Sequence, residues 1–175
     1  SSNRPHGFIC NNEVLKKMNR GYTREYYRQL VEDIRLRIPD ASITSDVIAG
    51  FAGETEEQFQ NTLDLIKELE LDSVITAAYD PRPGTQAEKM EGQLPNEVKR
   101  ERLARLILVV KEAALKKNKK LEGSAVEILM EEKGLGRTRT YKIVRFNGAS
   151  PKAGELAKVK ILQANSWVLN GELIS

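Results

Sequence analysis

The stretch Ser45-Asp46-Val47-Ile48-Ala49-Gly50-Phe51-Ala52-Gly53-Glu54-Thr55 runs from β-prone residues through two glycines into a helix start. Thr55 is followed three residues later by Gln58, the spacing of a capping box, so a strand turns abruptly into a helix here. At such a junction the strand's carboxyl end, the free backbone amides and the positive end of the helix dipole face one spot, which suits a polar ligand. A tight connection that needs glycine for its backbone angles gives the same pattern. What flanks the turn has to separate the two readings.

Upstream, Val14, Leu15 and Met18 lie on one side of a short helix over 12–20, which Gly21 ends. Thr23 caps a second helix to about Arg37, with Tyr27, Leu30, Val31, Ile34 and Ile38 at helical spacing and Pro39-Asp40 as its stop. Ile43 to Ala49 reads as a strand, apolar enough for burial on both faces of a parallel sheet. Downstream, Phe59, Leu63, Ile66 and Leu69 form the stripe of a helix from Thr55, and Ser73 to Tyr79 is a second strand. Helix, strand, helix, strand with short joins describes α/β units whose strands run parallel. Two such strands alone leave an apolar edge unpaired, so another chain or sequence outside this one is expected to complete the layer. The absence of an initiator methionine before Ser1 adds the expectation of a processed or truncated product. The loop Asp80-Pro81-Arg82-Pro83-Gly84-Thr85 leaves the sheet at the same end as the Gly50 to Gly53 turn, where α/β folds place ligands. Arg82 is there either a cation held at a site or a plain surface arginine.

Pro95 and Asn96 start a long helix to about Lys120, with Val98, Leu103, Leu106, Ile107, Val110 and Leu115 as its apolar stripe. After Gly123 the pattern changes from helical to alternating, which divides the chain into residues 1–121 and 122–175. Strands are expected at Ala125 to Glu131, Gly136 to Tyr141, Lys142 to Phe146, Leu156 to Gln163 and Ser166 to Leu173. Five short strands imply a small antiparallel β-barrel of OB-like size, with Trp167 as a core anchor.

The 175 residues are 40% hydrophobic, enough for a core, and no apolar run approaches a membrane span, so no membrane partner is expected. A single cysteine, Cys10, excludes an internal disulfide and points to a reducing, cytoplasmic compartment. His6 and Cys10 do not make a metal centre, since a closed site needs about four ligands and the chain has no other histidine or cysteine. No catalytic residue stands out either.

The net charge of +3 is unevenly spread: residues 1–118 hold 18 Lys+Arg against 19 Asp+Glu, whereas residues 119–175 hold 10 against 6. Within the barrel, Arg137, Arg139, Lys142 and Arg145 put four cations beside Tyr141. Cations for phosphates and flat rings for bases make a surface for single-stranded nucleic acid; a solvated outer face would give the same count.

Three runs, Asn12-Glu13-Val14-Leu15-Lys16-Lys17-Met18 with Arg20-Gly21-Tyr22-Thr23, Ser45 to Thr55, and Tyr79-Asp80-Pro81-Arg82-Pro83-Gly84-Thr85, occur in an order and spacing that resembles the carboxyl-terminal half of radical S-adenosylmethionine methylthiotransferases of the MiaB type. The final module is similar to a TRAM domain, through Gly136-Arg137-Thr138-Arg139-Thr140, the Val144 to Phe146 strand and Trp167-Val168-Leu169-Asn170-Gly171-Glu172-Leu173. The resemblance implies an incomplete β/α partial barrel followed by an RNA-binding barrel. It also implies addition of a methylthio group to carbon two of an isopentenylated adenosine beside the tRNA anticodon. S-adenosylmethionine and iron-sulfur clusters would be the cofactors of the full-length enzyme, and Ile48 would face adenine, with Asp46, Gly50, Gly53 and Arg82 around the cofactor. Arg137, Arg139, Lys142 and Arg145 would hold the anticodon arm. The CxxxCxxC loop of the radical cluster is absent, Ala52 stands where the family has proline, and Asp80 where it has serine. The chain is therefore expected to be inactive alone and to work with an amino-terminal half. Two other readings are a non-catalytic RNA-binding module and an enzyme that modifies an aspartate of a ribosomal protein. The Arg/Lys-rich run from Gly136 to Arg145 argues against the latter, since a protein substrate gives no reason for a phosphate-reading surface.

Overall fold

A computed structural model describes residues 11–85, 88–148 and 151–174; His6 and Cys10 lie outside them. The chain divides into two compact units, one built on residues up to 39 and 43–110, the other on 40–42 and from 111 onward.

The first unit contains α1 (Asn12–Lys17), α2 (Arg24–Arg37), β1 (Thr44–Ala49), α3 (Glu56–Leu69), β2 (Ser73–Ala78) and the first part of α4 (Asn96–Lys119). The starts of α2 and α3 have the expected chemistry. Thr23 accepts from the Tyr26 amide, and Thr55 and Gln58 form both arms of a capping box at α3. β1 and β2 pair in parallel from Thr44 opposite Ser73 to Ala49 opposite Ala78, and together make a two-stranded sheet. Val47 and Ala49 pack into a core with Tyr27 and Val31 of α2, Phe59, Leu63 and Ile66 of α3, and Leu106 and Val110 of α4. Fully burying such large side chains contributes roughly 1.5–3 kcal/mol each before ordering entropy is subtracted.

Burial on both faces of the sheet does not occur. Thr44, Asp46 and Ile48 share the opposite face with Ser73, Ile75 and Ala77, and Ile75 is 66% exposed. Among the described residues no third strand joins this sheet; on that face Thr44, Ser73, Ile75 and Ala77 are exposed, and Asp46 and Ile48 are half-buried. The stripe of α4 also differs from expectation. Lys99, Arg102, Leu106, Val109, Val110, Ala114 and Asn118 are buried, while Val98, Leu103, Ile107 and Leu115 are only half-buried. The helix is turned so that two cations point inward.

The second unit is a closed barrel of β3 (Ala125–Glu132), β4 (Leu135–Thr138), β5 (Ile143–Asn147), β6 (Leu156–Ala164) and β7 (Val168–Ile174), in the order β3-β4-β5-β7-β6. Every pairing is antiparallel except β5 with β7, which is parallel. Ile128, Met130, Val144, Phe146, Val159, Ile161 and Leu169 fill the interior. Trp167 is not the core anchor it was expected to be: it is 51% exposed. It falls in the β6–β7 turn, where the Asn165 side chain accepts from the Trp167 and Val168 amides at 2.8 and 2.7 Å, and Leu169 takes the inward position instead.

Candidate functional site

The turn after β1 uses up its own amides. Gly50 N–H donates to Glu54 Oε2 at 2.8 Å, Gly53 N–H to the Gly92 carbonyl at 2.8 Å, Glu54 N–H to the Phe51 carbonyl at 3.0 Å, and Thr55 N–H to Gln58 Oε1 at 3.1 Å. The expected free amides facing a ligand are therefore absent at these four positions. Glycine at 50 has its own reason: with φ at +81°, a Cβ there would lie 2.8 Å from Lys99 Cγ. The geometry matches a tight connection against α4.

What the turn encloses is an ion pair. The Glu54 and Arg102 side chains are 1% and 6% exposed, and Arg102 Nη1 lies 2.8 Å from both Glu54 Oε2 and the Glu54 carbonyl. Glu54 Oε1 and Arg102 Nε are buried without hydrogen-bond partners. Nearby, the Phe51 and Tyr79 rings are 4.7 Å apart and Lys99 Nζ sits 5.4 Å from the Tyr79 ring centre. Sequence reasoning missed Glu54, Lys99 and Arg102 because the partners are 48 residues apart in the pair that matters. Only the fit of positions 99 and 102 to the same helical stripe as Leu106 and Val110 could have signalled them.

Burial pushes the Glu54 carboxyl above its ordinary pKa, opposed by the Gly50 amide and the Arg102 guanidinium. The folded state thus holds this proton more tightly than the unfolded chain does. This contribution to stability is largest below the unfolded pKa and is lost as pH rises through the folded one. Measured by urea unfolding at a series of pH values, wild type should gain stability relative to Glu54→Gln as pH falls from neutrality toward the ordinary carboxylate range. A difference that shrinks on acidification would contradict this.

Asp46 and Ile48 stand on the outer face of the sheet, with Gly50 and Gly53 in the turn at its carboxyl end. Arg82 is exposed on the loop after β2, whose shape is fixed by a 2.7 Å hydrogen bond from Thr85 Oγ1 to the Arg82 carbonyl. Among the described residues no group of three or more His, Cys, Asp or Glu could hold a metal ion, and no helix is long and apolar enough to cross a membrane.

On the barrel, the four cations divide by partner. Arg137 Nε donates to Glu131 Oε1 at 2.7 Å, and Lys142 Nζ to Asn118 Oδ1 at 2.8 Å. Asn118, buried at the end of α4, also donates to the Asn165 and Ser166 carbonyls, so Lys142 belongs to the clamp that fixes the β6–β7 turn. Arg139, in the β4–β5 turn, and Arg145, opposite Leu135 on the outer face, are exposed. Tyr141 lies in that turn rather than in a strand, at φ +62° and 78% exposed.

Residues 119–174 match the TRAM domain. Over 171 residues the chain is 46% identical to the tRNA-2-methylthio-N(6)-dimethylallyladenosine synthase of Halalkalibacterium halodurans, covering 94% of this chain and 32% of the relative. It is 46% identical over 169 residues to the synthase of that name from Clostridium novyi (93% and 37%) and 48% over 168 residues to that from Geobacillus thermodenitrificans (92% and 32%).

The chain is similar to one part of each of these synthases.

It spans about a third of the length of the curated relatives it matches. The similarity takes in both units, since a match over 94% of the chain cannot be confined to the TRAM barrel. This bears out the resemblance read from the three motifs. The TRAM barrel presents Arg139 and Arg145 to solvent, and the two-stranded sheet leaves Ile75 exposed on its outer face.

Proposed function

We propose that the chain is a share of a tRNA methylthiotransferase, with residues 1–121 contributing part of the S-adenosylmethionine-binding β/α domain and residues 122–175 binding the tRNA anticodon arm. The observation that carries this reading is the similarity across both units to synthases named for a tRNA adenosine product. The outer face of the sheet supports it: half-buried Asp46 and Ile48 give a carboxylate and an apolar side chain on one surface, a combination that suits a ribose hydroxyl and an adenine ring. Gly50 and Gly53 then shape the end of that surface, and Arg82 lies on the adjoining loop. S-adenosylmethionine, when bound, would supply the radical and the methyl group of the family's chemistry. The residues present do not fit an iron-sulfur cluster, because one cysteine cannot replace the thiolates such a cluster takes. The chain alone therefore transfers no methylthio group, and an amino-terminal partner segment carries the clusters. The relatives' names favour tRNA over a ribosomal-protein aspartate as substrate. A cytoplasmic location follows from that substrate.

The test is binding of a labelled anticodon stem-loop by fluorescence anisotropy across a salt series. Each phosphate neutralised should add roughly −0.7 to −0.9 to the slope of log affinity against log salt. Arg139→Ala with Arg145→Ala should make the slope shallower by about two such contributions. A flat salt dependence in the unaltered chain would remove the RNA-binding reading. Isothermal titration with S-adenosylmethionine separates the two units' roles: undiminished RNA binding with no cofactor binding would leave only a non-catalytic RNA-binding module.

A further inference from the structure

The outer wall of the barrel carries a groove of about 340 Å³ that combines apolar, acidic and basic side chains. Leu129 of β3 lies opposite Leu156 of β6 on one side and opposite Arg137 of β4 on the other. Leu129 and Leu156 are 49% and 64% exposed, and Tyr141 completes the lining. Glu127 and Glu131 border the same groove, and Glu131 holds Arg137. An apolar floor wants a flat or aliphatic occupant, while the Glu127 carboxylate and the oxygens of Glu131, whose charge Arg137 balances, accept hydrogen bonds from an amino group. Arg139, at the rim, supplies the cation for a phosphate next to the occupant.

Tyr141 adds an independent observation. Its backbone sits at φ +62°, a conformation that glycine or asparagine adopts most easily, and its ring reaches no core. The turn closes through Thr138, which accepts the Tyr141 amide on its carbonyl and the Lys142 amide on its hydroxyl, so nothing in the turn's hydrogen bonding needs an aromatic side chain. A bulky residue kept in a left-handed turn with its ring in solvent serves a surface role.

We infer that this groove takes one unpaired base of the bound RNA, stacked on Tyr141 against Leu129 and Leu156, with Glu127 and Glu131 selecting a base that carries an exocyclic amino group. The inference rests on the RNA-binding reading above and adds to it which part of the RNA is held and by what. The carboxylates give the selectivity: cytosine offers N4–H₂ where uracil offers only O4. Arg139 at the rim and Arg145 outside the groove hold the backbone without regard to sequence.

The experiment compares oligocytidylate with oligouridylate of equal length on the full chain, at several salt concentrations. The unaltered chain should prefer oligocytidylate, and Glu127→Gln with Glu131→Gln should erase the preference. Tyr141→Gly removes the ring while relaxing the backbone, so the barrel keeps its thermal stability; affinity for both oligomers should fall about fivefold or more with the salt slope unchanged. Tyr141→Phe should restore it. Salt-dependent binding that is indifferent to Tyr141→Gly, or equal affinity for the two oligomers, overturns the base groove and leaves phosphate binding standing. No binding of either oligomer, nor of the anticodon stem-loop, overturns both.

Discussion

Replacing Arg102 by methionine should lower the stability of the α/β unit by about 3–5 kcal/mol, the cost of leaving a buried carboxylate without its partner. Glu54 would lose the guanidinium at 2.8 Å, its backbone carbonyl would lose the same donor, and among the described residues the Gly50 amide would be the hydrogen-bond donor left to its carboxylate. The exposed pair Arg28–Glu68 gives the contrast. Its ions are as close, at 2.7 Å, but both side chains are near 40% exposed, and its loss should cost less than about 1 kcal/mol. Urea unfolding followed by the helical signal of α2 to α4 measures both. Adding Glu54→Gln to Arg102→Met should recover much of the loss, because glutamine still accepts the Gly50 amide and no charge stays buried. Losses that simply add would show the two groups to be uncoupled.

That pair also marks the limit of what could be read from the chain. Elements whose cause is local were legible. The capping box at Thr55 and the stop at Pro39 place α2 and α3 within a residue or two, and alternation after Gly123 gives five strands. What failed depends on contacts distant in sequence. The apolar residues of α4 suggest a stripe through Val98 and Leu103, but the turn after β1 draws Lys99 and Arg102 inward instead. The side on which Trp167 falls is decided by the Asn165 turn, which no period reports. At the two surfaces, cation positions were legible and cation partners were not. Arg137 and Lys142 look like Arg139 and Arg145 in the sequence, yet Glu131 and Asn118 occupy them.

Gly171→Ala should unfold the barrel more readily than any other single methyl group added to it. An ideal Cβ at Gly171 lies 2.3 Å from the Lys160 carbonyl oxygen and 2.6 Å from Val159 Cγ1, with no φ that excludes an L residue. Gly171 sits between Phe146 of β5 and Ile161 of β6, so the strand cannot move away from one neighbour without pressing on the other. Overpacking a well-filled site costs about 1–3 kcal/mol and occasionally more. Here the obstacle is backbone in a closed barrel, so the upper end, about 3 kcal/mol, is expected. Gly148→Ala is the control, with open space around the added methyl group; its φ of +113° gives a backbone penalty but no collision. Two thermal transitions should resolve the two compact units, and Gly171→Ala should lower the one that carries the strand signal, taking salt-dependent RNA binding with it. An unchanged barrel transition would mean that β6 and β7 can separate by several tenths of an ångström at no cost, which the pairing on both sides of Gly171 forbids.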